Sequence, residues 1–318
     1  MLHGALVTFR RPEELTHYLA ALAHQTRRLD TLAVIDNDPS KSGWDPLRRH
    51  LDEVEDGAAP AADEIVYLPQ AENLGSAGGW SLGQLFFAQT ADDGDWIVLL
   101  DDDDPPHSDT KLAELEKFAE SMVATDPRTA AVAGRGAFFD GDAGRVTRLV
   151  EADLRGPVRV DYVGCGKFPL YRVAVIRRIG TFLPDLFLGY VELEYALRLK
   201  AADLHLYVDG DELRRRKEVA GTLRDVGRVR SELKTRMPPW RVYYTTRNLI
   251  WMLRSNGHYG GALRVSVRRG LGRGVSQVFV SPRQGRKYIL AGLYGIRDGW
   301  RGQLGRPIDP QDAAFRAE

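Results

Sequence analysis

"WIVLLDDDDPP", residues 96–106, is the stretch on which the reading of this chain turns. A mostly apolar run leads straight into four carboxylates, Asp101 to Asp104, and two prolines stop the strand from continuing. A short apolar run closed by such breakers reads as a strand buried in a parallel sheet. Four adjacent negative charges repel one another, so their place at a strand end calls for a compensating cation or ligand. In an open parallel sheet, ligands bind just outside the carboxyl ends of the strands. An oxygen-rich run there suits a hard cation, Mg²⁺ or Mn²⁺, which needs only one or two carboxylates besides substrate phosphates. The plainer alternative is a solvated acidic turn, against which stands the hydrophobic strand that feeds the run.

Outward from this point, "ALVTF" (5–9), "TLAVID" (31–36) and "EIVYL" (64–68) read as further strands. Pro12 opens a helix with Glu13 and Glu14 in its first turn, where the backbone dipole favours acids. Helices are expected over 77–91 and about 109–124, and the polar excursion 39–62 has room for one short helix. Strands alternating with helices predict right-handed βαβ units, an α/β fold with a mostly parallel, Rossmann-like sheet flanked by helices. After "AAVAG" (130–134) the rhythm changes. Residues 143–164 read as hairpins, 171–179 and 191–202 as helices, 204–208 as a strand, and everything from Pro238 as helical and basic. The expected division is a catalytic domain over 1–236 and a helical region over 237–318.

The 318 residues carry 44 basic and 44 acidic side chains, which gives no reason to expect a nucleic-acid partner. The one cysteine, Cys165, excludes an internal disulfide framework and fits a reducing cytoplasm. No signal peptide is evident, and no apolar run approaches the ~18 residues that span a bilayer. The seven histidines show no metal-ligand spacing. From Gly257 onward eleven Lys/Arg face four Asp/Glu, and Ile289, Leu293, Ile296 and Trp300 recur at helical spacing. Such a helix either lies on an anionic membrane surface or packs on the catalytic domain or a second subunit, so peripheral membrane contact and a homo-oligomer both stand as expectations.

Three polar clusters fall at predicted strand ends: Asp36-Asn37-Asp38, Glu72-Asn73 and the acid run. "ENLGSAGGW" (72–80) brings glycines 75, 78 and 79 to a helix start, which suits either a phosphate or simply a tight turn. In "GYVELEYALRL" (189–199), Glu194 and Arg198 stand four apart as a helix-surface pair. Glu192, with Tyr195 and Ala196 at the corresponding positions, is the candidate general base.

With these clusters in order, the chain resembles glycosyltransferase family 2, the inverting GT-A enzymes, and within it bacterial galactofuranosyl- and rhamnosyltransferases. The matching stretches are "VTFRRPEEL" (7–15), "LAVIDND" (32–38), "ENLGSAGG" (72–79), "WIVLLDDDD" (96–104), "GTFLPDLFLGYVELEYALRL" (180–199) and "YYTTRNLIW" (243–251). The resemblance implies that Thr8 and Arg10 border the nucleotide, Asp36 meets the base, and Asn73 with Gly75 lines the diphosphate. Asp101 and Asp103 match the D-x-D pair that holds Mg²⁺ or Mn²⁺, with Asp102 near the ribose or sugar. Two departures are plain. The D-D-x-[DE]-Y pattern reads Val191-Glu192-Leu193-Glu194-Tyr195 here, so Glu192 takes the base position, and Arg214 stands about where a metal-binding His is common. The implied reaction moves a sugar from a UDP- or dTDP-linked donor to a glycan or lipid-linked acceptor. Rival expectations are a nucleotide-sugar-binding protein without transfer, a tailoring enzyme for a soluble acceptor, and a nucleotidyltransferase.

Overall fold

The computed structural model describes residues 1–164, 168–219, 237–271 and 282–310, with Asp312 and Phe315. Cys165 and Arg273 lie outside the described residues. Strands β1 (Leu2–Thr8), β2 (Leu29–Asp36), β3 (Ala62–Pro69) and β4 (Trp96–Asp101) run parallel in the spatial order β3-β2-β1-β4. Every residue of β1 is buried, because helices cover both faces of the sheet. Its alternate residues feed two cores. Ala5 and Val7 join Trp80, Phe87 and Tyr195 on one face. Leu2 and Leu6 join Leu15, Leu19 and Leu112 on the other.

The helices follow the expected alternation: α1 (Pro12–Ala23), α2 (Trp44–Glu55), α3 (Gly75–Thr90) and α4 (Lys111–Thr125). In α1, Pro12 sits at the start and Leu15, Tyr18, Leu19 and Leu22 form the buried stripe. The excursion 39–62 holds α2. Beyond β4 the sheet continues through β5 (Thr129–Ala133), β8 (Pro157–Val160), β10 (Leu170–Arg172) and β11 (His205–Asp209), in the spatial order β4-β10-β5-β11-β8. Here β10 and β8 run antiparallel to their neighbours. A small second sheet, β7-β6-β9, is built from β6 (Gly136–Asp140), β7 (Arg145–Arg148) and β9 (Tyr162–Val163). The segment 171–179, expected to be all helix, therefore divides: its first residues complete β10 and only Val173–Ile179 forms α5. Then come α6 (Val191–Ala201) and α7 (Gly210–Val219).

The C-terminal region packs as α8 (Pro239–Ser255), α9 (Tyr259–Val265) with a π-helical continuation to Leu271, and α10 (Pro282–Arg301). Glycines let α10 approach α8 closely: a Cβ at Gly295 would lie 2.8 Å from the Tyr243 carbonyl oxygen, and one at Gly299 2.7 Å from that of Arg247. The apolar stripe expected on this helix is mainly internal. Ile296 and Trp300 pack against the Leu249–Leu253 part of α8, and Trp300 Nε1 donates to Ser266 Oγ at 3.0 Å. Leu293 alone of the stripe is exposed, at 44%. Among the described residues no helix is long and apolar enough to cross a membrane.

Candidate active site

The register of β1 on β4 sets Val7 opposite Asp101, so the ends of the two strands lie side by side. Thr8 donates its hydroxyl to Asp102 Oδ2 at 2.8 Å. The backbone then takes φ 55° at Arg10, and the two adjacent arginines diverge. Arg10, with its side chain 53% exposed, reaches Asp38 Oδ1 at 3.3 Å and lies over Phe9. Arg11 turns to the acid run instead: its Nη1 stands 2.8 Å from Asp102 Oδ1 and 2.9 Å from Asp103 Oδ2. Burial opposes the charge on Arg11, but its bonds to Asp103 and Asp102 outweigh that and hold it firmly protonated. Sequence reasoning placed Arg10 at the nucleotide and passed over Arg11.

Among the described residues the run itself is short of positive charge. Burial first, and Asp103 and Asp102 after it, push the Asp101 carboxyl up to about 7. Burial also raises Asp102, with Thr8 and Arg11 pulling the other way. The Tyr18 phenol, fully buried, is raised well above its usual value by burial and then by Asp104, Asp101 and their neighbours. Asp101, Asp102 and Asp103 can each present one oxygen such that all three lie within 4.8 Å of one another. This all-oxygen, charge-deficient set fits a hard divalent ion. Asp102 is held by Thr8 and Arg11, and Asp103 shares the same Arg11 nitrogen through its Oδ2.

The glycine turn closes the next wall. Asn73 Oδ1 accepts from Gly75 N at 2.8 Å, and Asn37 Nδ2 donates to Gly75 O at 2.9 Å. Gly75 has φ 67°, and a Cβ there would collide with the Phe187 carbonyl. Ala77 N donates to that same carbonyl at 3.1 Å. Farther along α3, Trp80 Nε1 donates to Leu100 O, at the threshold of the acid run, at 3.0 Å. The start of α3 thus ties the end of β4 to the loop before α6. Asp36 is wholly buried in shaping the loop after β2: it accepts from Asp38 N at 2.9 Å, and from Gly43 N and the Tyr67 hydroxyl at 2.8 Å each.

The two glutamates of α6 have separate fates. Glu194 is buried and grips Arg198 through two bonds of 2.9 Å, while Arg198 also caps the Ile179 and Thr181 carbonyls. Glu192, in the first turn behind Tyr190, is half-buried. Arg214 is engaged by Glu218 at 3.1 Å and Glu151 at 3.4 Å. Two residues on, Arg216 reaches the Gly134 carbonyl at 3.5 Å, just past β5. Burial, with Arg216 next, holds His107 and Lys111 below their usual values.

Residues 5–180 match the family model described as Glycosyl transferase family 2. The chain belongs to glycosyltransferase family 2. Within that family it is similar to galactofuranosyltransferase GlfT1 of Mycobacterium tuberculosis, at 41% identity over 126 residues, which is 39% of this chain and 38% of that protein. GlfT1 of Mycolicibacterium smegmatis is likewise 41% identical over 226 residues, 66% of this chain and 62% of the relative. The match therefore spans less than two thirds of either curated relative. Among solved structures, the mannosyltransferase PcManGT from Pyrobaculum calidifontis in complex with GDP-Man and Mn²⁺ superposes with a TM-score of 0.52 at 12% identity, over 95% of this chain and 87% of that one. The family member described above accordingly has a GT-A fold.

Proposed function

We propose that the chain is an inverting hexosyltransferase. It would move galactofuranose, or a rhamnose-like sugar, from a UDP- or dTDP-linked donor to a hydroxyl of a glycan or lipid-linked acceptor. The observation that carries this reading is the carboxylate trio at the end of β4, short of positive charge and braced by Thr8 and Arg11. Identity to galactofuranosyltransferases supports the choice of sugar. A divalent ion held by Asp101 and Asp103 would offset the charge that develops on the departing diphosphate. Asp102, fixed by Thr8 and Arg11, would orient the ribose or sugar. Glu192 would accept the proton of the acceptor hydroxyl as it attacks the anomeric carbon, and the glycosidic bond to the diphosphate would break on the opposite face. The grip of Glu194 on Arg198 supports Glu192 rather than Glu194 in that task.

On this reading the acceptor lies at an anionic lipid surface. Supporting this, Tyr259, Leu263 and Val267 stand one turn apart on α9 and its continuation, 60%, 61% and 56% exposed, with Arg264 and Arg268 beside them. The testing experiment is a thermal-shift screen of nucleotide sugars with and without Mn²⁺, followed by transfer assays on the donors that bind. Glu192→Gln should keep donor binding and lose roughly 10²–10⁴-fold in turnover. Greater damage from Glu194→Gln would show that the base has been assigned two residues out of register.

A further inference from the structure

Glu192 follows a segment of unusual backbone, in which local turn bonds run only as far as Leu188 N. Phe187, Gly189 and Tyr190 all take positive φ, at 61°, 85° and 62°. For the two residues with side chains this backbone is disfavoured, so the conformation persists only if its surroundings impose it. The imposing groups lie about sixty residues away, on α8. Asn248 Nδ2 donates to the carbonyls of Leu186, Leu188 and Gly189 at 3.0, 3.0 and 2.9 Å. Arg247 Nη2 donates to Leu186 and Asp185 at 3.0 and 3.2 Å, its Nη1 to Gly305 at 2.6 Å, and its Nε to Asn248 Oδ1 at 2.8 Å. Of the other carbonyls, that of Phe187 is taken by Ala77 N of the glycine turn and that of Tyr190 by Glu194 N of α6.

Both α8 side chains are 0% exposed. Burying a guanidinium costs several kcal/mol, and a helix–helix contact alone is served better by an apolar residue. A fork of donors is worth burying where backbone carbonyls need partners, and here the donors of Arg247 and Asn248 converge on the segment that leads into α6.

We infer that Arg247 and Asn248 are positioning residues: a buried clamp that holds 185–190 in its left-handed conformation and so sets Glu192 against the donor side of the site. The inference rests on the transferase reading. The test compares wild type with Asn248→Ala and Arg247→Lys, the second keeping the charge but losing the fork. Three readouts are taken on the full chain: hydrogen exchange of peptides over 183–196 and over β1 to β4, calorimetric affinity for UDP in Mn²⁺, and steady-state transfer from UDP-galactofuranose. In both variants, exchange should quicken over 183–196 and stay unchanged in the sheet. UDP affinity and donor KM should hold within about twofold, while kcat falls by roughly 10²-fold, the cost of an ångström-scale misplacement. Unchanged exchange over 183–196 overturns the clamp. So does a fall in kcat accompanied by equal loss of UDP affinity and sheet-wide exchange, which marks general loosening. Should wild type transfer no sugar at all, the transferase reading fails, and the exchange result still decides the clamp by itself.

Discussion

Arg11→Met removes the cation seated between Asp102 and Asp103 while keeping the bulk of the side-chain stem. Two charge-assisted contacts are lost, 2.8 Å to Asp102 and 2.9 Å to Asp103. Bonds to charged groups are worth about 1.5–3 kcal/mol when well shielded. The Arg11 side chain is 41% exposed, so solvent screening removes a good part of that. Asp102, only 3% exposed, keeps Thr8 as a donor but loses its counter-charge. A net loss of about 1–3 kcal/mol follows. At roughly 2 °C per kcal/mol for a domain above ~150 residues, the melting temperature should fall by about 2–6 °C without ligand. The variant's trio also carries one more uncompensated negative charge, so Mn²⁺ should raise its melting temperature by more than it raises that of wild type. The assay is calorimetric melting at low ionic strength, with and without millimolar Mn²⁺. A variant that melts with wild type and responds identically to Mn²⁺ would refute the view that Arg11 compensates the run.

Asp103→Ala should abolish transfer and erase the Mn²⁺-dependent part of the stabilisation by UDP; retained transfer in the presence of EDTA would count against the metal assignment. His50 Nε2 accepts from Ala61 N at 3.1 Å, and burial lowers the ring below 6.5, so the neutral form belongs to the folded state. Its contribution is complete above the unfolded value of about 6.5 and is lost as the pH falls from there through the folded value. The melting temperature of His50→Gln should therefore depend less steeply on pH between about 7 and 5 than that of wild type, and parallel curves would contradict this. Full-length protein should bind vesicles containing anionic lipid at low salt, and Leu263→Glu should weaken that binding several-fold; equal binding by the variant would remove α9 from the contact.

Much of the fold was legible because it is written locally. "WIVLLD" and "ALVTF" are continuous apolar runs, and a strand covered by helices on both sides requires just that. Pro12 with Glu13 and Glu14 marks the start of α1 by chemistry that acts within one turn. By contrast, β10 has three residues, too few for any period, and becomes a strand only because β4 and β5 leave a gap that it fills antiparallel to both. In the site, the run of acids was visible, but the pairing of Arg11 with it was not. It depends on a left-handed backbone at a residue whose side chain gives no sign of it. The separate roles of Glu192 and Glu194 were half legible, since the pairing of Glu194 with Arg198 obeys helical spacing. The convergence of Arg247 and Asn248 on a loop some sixty residues earlier obeys no local rule.

That long-range contact changes how the C-terminal region is understood. Charge asymmetry from Gly257 onward suggested a basic C-terminal appendage, within a helical region expected over 237–318. The geometry ties it to both walls of the site. Arg247 and Asn248 hold the segment before Glu192, while Arg306 donates to the Asn73 carbonyl at 3.0 Å and lies over the Phe187 ring at 5.3 Å. Gly305 N also donates to the Asp185 carbonyl at 2.7 Å. Arg247, Asn248, Gly305 and Arg306 thus tie the glycine turn and the segment before α6 to the C-terminal region, which on the proposed reading joins the donor side to the base. Removing everything after 257 would strip α9 and α10 from α8 and uncover a buried arginine, so loss of activity in such a truncation would report collapse of the clamp rather than loss of a membrane anchor. A single exposed side chain such as Leu263 separates the two roles, because it touches the surface of α9 and leaves the packing of α10 on α8 intact.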